Sequence, residues 1–373
     1  MSDAGQPQSA KAPAGGSAVH AVSSVGVRTH PRDVLLDSQA GAVSLPVCDH
    51  YCGVEARMTK SLQLQAEMTQ EFGACVFDVT LDCEDGAPAG GELDHANMVV
   101  AVANNAYVAI HKVAKAAAKT RTGIAARIHA VDHPSFESDI EIIVGQASHA
   151  LCHVMVPKVE CVADVDRAVA LIDAAQAGNG TTPLPLHVLI ESPAAVQRAF
   201  DIAAHPRVQS LSFGLMDFVS SHGGAIPASV MNASGQFTHP LVVRAKLAIA
   251  SACHASGKVP SHCVVTEFSD ATAIAAAASR AAREFGYTRM WSIHPSQIRP
   301  ILAAFAPSEE EIETASHIIV AGAGADWAPI SFKGKLHDRA SYRYYWQLLE
   351  RAHQTGRTLS QPISSYFDAE KST

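Results

Sequence analysis

No apolar run in the 373 residues approaches the ~18 that a membrane-spanning helix requires. The N-terminus lacks a charged segment leading into an apolar one, so no secretory signal peptide is expected, and residues 1–40 read as a flexible polar tail. Aromatics make up only 6% of the chain and charged residues only 17%, with a net charge of −8. That balance argues against nucleic acid and against an anionic membrane surface as partners. The eight cysteines include no CxxC pair, so buried free thiols in a reducing cytoplasm are expected rather than a disulfide frame. Cys48-Asp-His50-Tyr-Cys52 could form half a zinc site, but no second pair of soft ligands follows at finger-like spacing. Neither G-x-G-x-x-G nor G-x-x-x-x-G-K-[ST] follows a strand candidate, which leaves out a dinucleotide fold and a P-loop.

What is present is alternation, in a chain that is 48% hydrophobic. Short apolar runs end abruptly in polar residues, at 44–50, 73–82, 123–130, 150–158, 185–192, 208–217, 261–268 and 289–295. Stretches with helical spacing lie between them, among them 92–120 and a segment that Asp270 caps and Gly286 closes. Eight strand–helix units predict a (β/α)8 TIM barrel over residues 41–322, with a doubly wound open sheet as the alternative. Ser308 and Glu311 form a capping box for one more helix. Residues 323–373, dense in Tyr, Trp and Arg, read as a helical extension that packs on the barrel or reaches a neighbouring subunit.

In such a barrel the chemistry gathers at the carboxyl ends of the strands. Those ends carry Asp82, Glu84 and Asp85, then Arg127, Lys158, Glu191, Asp217, Glu267 and His294. Glu191 and Asp217, on adjacent strands, form a hard oxygen donor set that suits Mg²⁺; each alone would also suit a helix cap. Arg127 ends an apolar strand and needs an anionic partner, either a substrate carboxylate or the acidic cluster at 82–85. Lys158 could form a Schiff base, although Glu160 beside it would hold it charged. His294 is a possible acid/base or a structural hydrogen-bonder. His111, Lys112, Lys115, Lys119 and Arg121 read as a solvated basic stripe, or as contacts for a phosphate.

The ordered motifs DCEDGAP, ARI, VPKVE, LIESPAAV, SFGLMDF and SIHPSQI, within about residues 45–322, resemble the citrate lyase β-subunit-like branch of the HpcH/HpaI aldolase superfamily. That branch includes the malyl-CoA lyases. The resemblance implies a TIM barrel assembled as a homotrimer or hexamer. It implies Mg²⁺ on Glu191 and Asp217, Arg127 gripping a 2-oxo acid or developing enolate, and Glu84 with Asp85 ordering metal-bound water. It places Pro157, Lys158, Gly214, Leu215 and Met216 among the substrate contacts. His129 stands where the family has asparagine after R-I, and the first strand lacks the usual arginine-rich opening, where CoA-phosphate contacts are normally made. In malyl-CoA lyases a tail aspartate from a neighbouring subunit supplies an acid, a role that Asp326 or Asp338 could take.

The expected function is a Mg²⁺-dependent carbon–carbon lyase that splits a 3-hydroxyacyl thioester, such as a CoA ester, or a hydroxy acid. Its products would be an acetyl-type fragment and a 2-oxo acid. The alternatives are a hydrolase of malyl-type thioesters on the same metal site and a ligand-binding barrel without turnover.

Overall fold

Eight short strands, buried along nearly their whole length, pair in parallel in chain order, and the last closes on the first. They are β1 (Cys48–Cys52), β2 (Phe77–Asp82), β3 (Ile124–Arg127), β4 (His153–Val156), β5 (Leu186–Ile190), β6 (Val208–Phe213), β7 (Val259–His262) and β8 (Arg289–Ser292). The computed structural model describes residues 30–36, 44–113 and 121–368. It is a closed barrel wrapped by helices, not an open sheet. Every expected strand is present in order, though most are shorter than their apolar runs. β7 starts at Val259, two residues before the expected run, because Pro260 within it reads as a break in a central strand.

The two-residue period of each strand sorts its side chains. Outward residues such as Cys48, Val79, Ile124, Val154, Val188 and Leu211 form the main core against the helices. Cys48, His50 and Cys52 share this outward face, where His50 bonds to Ser61 Oγ (3.0 Å) and Ser292 Oγ (2.9 Å); burial holds its pKa near 4, and all eight cysteines are free thiols.

The inward side chains make three layers. At the amino-terminal end Asp78 bonds to Arg289 (2.7 Å) and to Arg121, and Asp49 takes a second contact from Arg289 (2.8 Å). Above them Tyr51 stacks on Trp291 at 4.4 Å and packs with Met155 and Leu189 as an apolar plug. Arg127, Asp82 and Glu191 form the third layer, at the mouth. Arg121 therefore belongs to the barrel floor and not to a solvated stripe: the helix Glu92–Val113 ends before it, and Lys115 and Lys119 lie outside the described residues.

Asp270 caps the helix Ala271–Arg283 by accepting from Thr272 N and Ala273 N, both at 3.0 Å, and the Ser308–Glu311 box is formed. The C-terminal region is not helical throughout. β9 (Ile330–Phe332) and β10 (Lys335–His337) pair as a hairpin before the helix Arg339–Gln354. Its turn carries Lys333 and Gly334 at φ 46 and 74, conformations whose usual Asn-Gly signal is missing here.

This region builds a second core from Tyr342, Trp346 and Leu349 with Ile318 and Ile319 of the helix Glu309–Gly324. Leu35 and Leu36 join it from the short helix Pro31–Leu35, so residues 30–36 are packed rather than part of a tail. Arg32 pairs with Glu350 at 3.0 Å and ties this short helix to the helix Arg339–Gln354. Residues 1–29 lie outside the described residues.

Candidate active site at the barrel mouth

Asp82 and Arg127 end β2 and β3 in register. Arg127 donates to both carboxylate oxygens of Asp82, Nε at 2.7 Å and Nη2 at 2.5 Å. Asp82 also accepts the backbone N–H groups of Glu84 and Gly86, both at 2.9 Å, which folds the DCEDG loop back over the strand end. A Cβ on Gly86 would lie 2.2 Å from Asp82 Oδ2, so the loop closes only on glycine. The third guanidinium nitrogen of Arg127 reaches Glu84 Oε2 at 3.0 Å, and its carbon lies 5.5 Å from the Tyr51 ring centroid. The acidic cluster is thus the first counter-charge of Arg127.

Glu84 Oε1 binds Lys158 Nζ at 2.5 Å, and Asp85 lies 3.6 Å from the same ammonium. Burial works against the charge on Lys158, but Glu84 and Asp85 outweigh it and raise its pKa. A lysine held charged is no Schiff-base nucleophile. The residues that hold it are Glu84 and Asp85, not Glu160, because Lys158 is left-handed (φ 52) and its side chain turns toward the β2 loop. The same turn aims Lys158 N–H at Glu191 Oε1, 2.7 Å away.

Glu191 follows β5 and is 5% exposed. Burial drives its carboxyl well above the usual carboxylate range, and Asp217 and Glu84 push it the same way. Gly214 lies directly beneath it: a Cβ there would sit 2.5 Å from both Glu191 Cβ and Oε2. Asp217 lies in the first turn of the helix Leu215–Ser220, not on the strand, and is half-buried. Leu215 turns its side chain into the main core, Met216 is exposed and Pro157 is buried at the end of β4.

His294 caps the turn Pro295–Gln297 through Ser296 N (3.2 Å) and packs near Phe268. Glu267 accepts Ala233 N at 2.9 Å and clasps a loop. Asp338 caps the helix Arg339–Gln354.

Sequence reasoning missed one arrangement. His129 Nδ1 bonds Asp139 Oδ2 at 2.7 Å, the same carboxylate accepts His129 N at 2.9 Å, and the ring stacks on His133 at 4.2 Å. The available signal was spacing, since His129 lies two residues beyond Arg127 on the same side of the strand direction.

Five carboxyl groups (Asp82, Glu84, Asp85, Glu191 and Asp217) share this mouth with only two cations, Arg127 and Lys158. The unspent donors are oxygens alone, and a hard divalent cation would offset the burial and relieve the repulsion that together lift Glu191. The residues therefore fit Mg²⁺. Deeper in the barrel, Asp49, His153 and His187 also bring ligand atoms together. There Arg289 already supplies the positive charge to Asp49, and burial lowers the pKa of His187 to about 3.

A closed parallel barrel with acid, arginine and lysine gathered at the carboxyl ends of its strands defines a (β/α)8-barrel enzyme. Residues 62–295 match the model of the HpcH/HpaI aldolase/citrate lyase family, so the chain belongs to that family and is a carbon–carbon lyase. It is 34% identical to the L-malyl-CoA/beta-methylmalyl-CoA lyase of Cereibacter sphaeroides over 238 residues, 60% of this chain and 74% of that one. It is 27% identical to the (3S)-malyl-CoA thioesterase of the same organism over 196 residues, 52% of this chain and 61% of that one. Among solved structures it resembles a citrate lyase from Burkholderia xenovorans LB400, with TM-score 0.71 and 47% identity over 88% of this chain and 98% of that one.

Proposed function

We propose that the protein is a Mg²⁺-dependent lyase that cleaves a 3-hydroxyacyl-CoA, of the malyl-CoA type, into an acetyl-type thioester and a 2-oxo acid. One observation carries this reading: Glu191 is buried with Asp217 and Glu84 acting on it, in the same mouth as an arginine already fixed by Asp82. Bound by Glu191 and Asp217, Mg²⁺ would supply electrophilic stabilisation of the oxo-acid oxygen and neutralise its carboxylate.

The chain's own groups do the rest. The hydroxyl of the substrate loses its proton to a carboxylate of the Glu84–Asp85 pair. The bond between the second and third carbons then breaks, leaving the 2-oxo acid and the enolate of the acetyl thioester. Arg127, pinned by the bidentate contact to Asp82, keeps its guanidinium in place for the developing charge with no reorganisation at the moment of reaction. A preorganised donor of this kind contributes on the order of 3 kcal/mol. Lys158 neutralises Glu84 and, through its backbone, orients Glu191. The enolate finally takes that proton back from the Glu84–Asp85 pair to give the acetyl thioester.

The similarity to a malyl-CoA thioesterase supports a second reading, in which the same site directs water at the thioester carbonyl. Product analysis on malyl-CoA separates them. Glyoxylate with acetyl-CoA is the expected outcome; free malate with CoA assigns the site to hydrolysis. Calorimetry with Mg²⁺ tests the ion site itself: Glu191→Ala and Asp217→Ala should each abolish binding, and unchanged binding in both would sink it. A mass-spectrometric screen of acyl-CoA and 2-oxo acid pairs, with and without Mg²⁺, identifies the substrate.

A further inference from the structure

Arg351 is a cation without a counter-charge. It lies in the last turn of the helix Arg339–Gln354, partly buried, and among the described residues no carboxylate reaches it. The arginines of the barrel interior are treated differently. Arg121, Arg127 and Arg289 each hold an aspartate at ion-pair distance. Burial pushes the Arg351 guanidinium below its ordinary value; Tyr344 opposes that shift and Arg283 adds to it. An uncompensated guanidinium in such a place is costly, and the structure has not spent it on any internal contact.

Arg351 lines a cavity of about 420 Å³ together with Arg283, Tyr344, Glu311, Phe305 and Leu348. Arg283 closes the helix that leads into β8, and Phe305 closes the helix that follows it. The cavity therefore lies at the amino-terminal end of the barrel, on the side away from Glu191 and Asp217. Its outer wall is the C-terminal helix. Glu311 is the only carboxylate in the lining. It is held by Ser308 N at 2.7 Å and stands 3.5 Å from Arg283, so it answers one of the two guanidiniums and leaves the other free. Phe305, Leu348 and Pro307 supply apolar wall beside the polar Tyr344 and Gln347.

We propose that this cavity binds a small organic oxyanion, a carboxylate or phosphoryl head on an apolar body, with the head bridging Arg351 and Arg283. Guanidiniums from two helices line the one cavity and match a two-oxygen head, while Phe305 and Leu348 offer apolar surface to the body. Because the two arginines belong to different units of the fold, a bound anion ties the C-terminal helix to the barrel. The site is separate from the substrate site and would act as an effector site.

The test is calorimetry on the full-length protein with benzoate, phenyl phosphate and inorganic phosphate as probes, up to about 10 mM, which detects Kd values in the millimolar range. At least one probe should bind saturably. Binding should weaken about tenfold or more in Arg351→Gln and in Arg283→Gln, the loss expected for one charge-assisted contact. Arg127→Ala, at the mouth, should leave it unchanged. Binding of benzoate points to a carboxylate ligand, and binding of the phosphates alone to a phosphoryl one. Arg351→Gln should melt no lower than the parent without ligand and keep its basal activity. The proposal is overturned if no probe binds, if both arginine variants bind as the parent does, or if Arg127→Ala abolishes the signal.

Discussion

Glu191 is 5% exposed at the end of β5, with Asp217 and Glu84 as neighbours, an arrangement that costs the metal-free protein stability. Glu191→Gln removes that cost. Its melting temperature without metal should rise by the equivalent of about 1 kcal/mol. The same change should abolish stabilisation by Mg²⁺ and lower kcat by about 10³-fold or more. A lower melting temperature with the Mg²⁺ response intact would contradict both roles. Arg127→Lys keeps a positive charge but loses the fork that Asp82 holds at two points. It should lower kcat/KM by about 10²-fold while leaving Mg²⁺ affinity near the parent value. Gly214→Ala places a methyl 2.5 Å from Glu191, so it should destabilise by about 1–3 kcal/mol and weaken Mg²⁺ binding together.

Strands and helices distribute these residues by simple rules of period and capping, and the loops between them decide the chemistry. The β2 exit loop is shaped by one aspartate accepting two backbone donors, and the β4 exit by a left-handed lysine. Helix ends are legible because their caps are local. Asp270→Ala should cost about 1 kcal/mol in chemical denaturation without affecting kcat. Strand interiors are less forgiving. Asp78 bridges Arg121 and Arg289 inside the barrel floor, so Asp78→Asn takes the counter-charge from Arg121 and leaves Arg289 with Asp49 alone. It should cost on the order of 3–5 kcal/mol, measured as the loss in unfolding free energy.

For the molecule as a whole, the raised pKa of Glu191 links folding, metal and pH. The folded, metal-free protein keeps a proton on Glu191 that the unfolded chain releases in the ordinary carboxylate range. The contribution of this group is therefore present below that range and is lost as pH rises toward the raised value. Mg²⁺ needs the deprotonated form, so the stabilisation it provides should grow from about pH 5.5 to about pH 8. Thermal melts with and without Mg²⁺ at those two values measure it, and an equal shift at both would contradict the linkage.

The sequence by itself pointed to eight strand–helix units, two helix caps and strand ends rich in acid, arginine and lysine, because period, capping and strand-end position are local properties of the chain. It could not tell a closed barrel from an open sheet, nor that Glu267 and His294 serve a loop clasp and a turn cap. Only the tertiary structure decided which charge answers which. It paired Arg127 with Asp82, Lys158 with Glu84, Arg121 with Asp78 and His129 with Asp139, and it packed residues 30–36 against the C-terminal helix. Those partners lie 10 to 74 residues apart in the hydrogen bonds that join them, and 318 apart for Arg32 and Glu350. Ion pairing is set by distance in space and by shared desolvation, neither of which leaves a periodic trace in sequence.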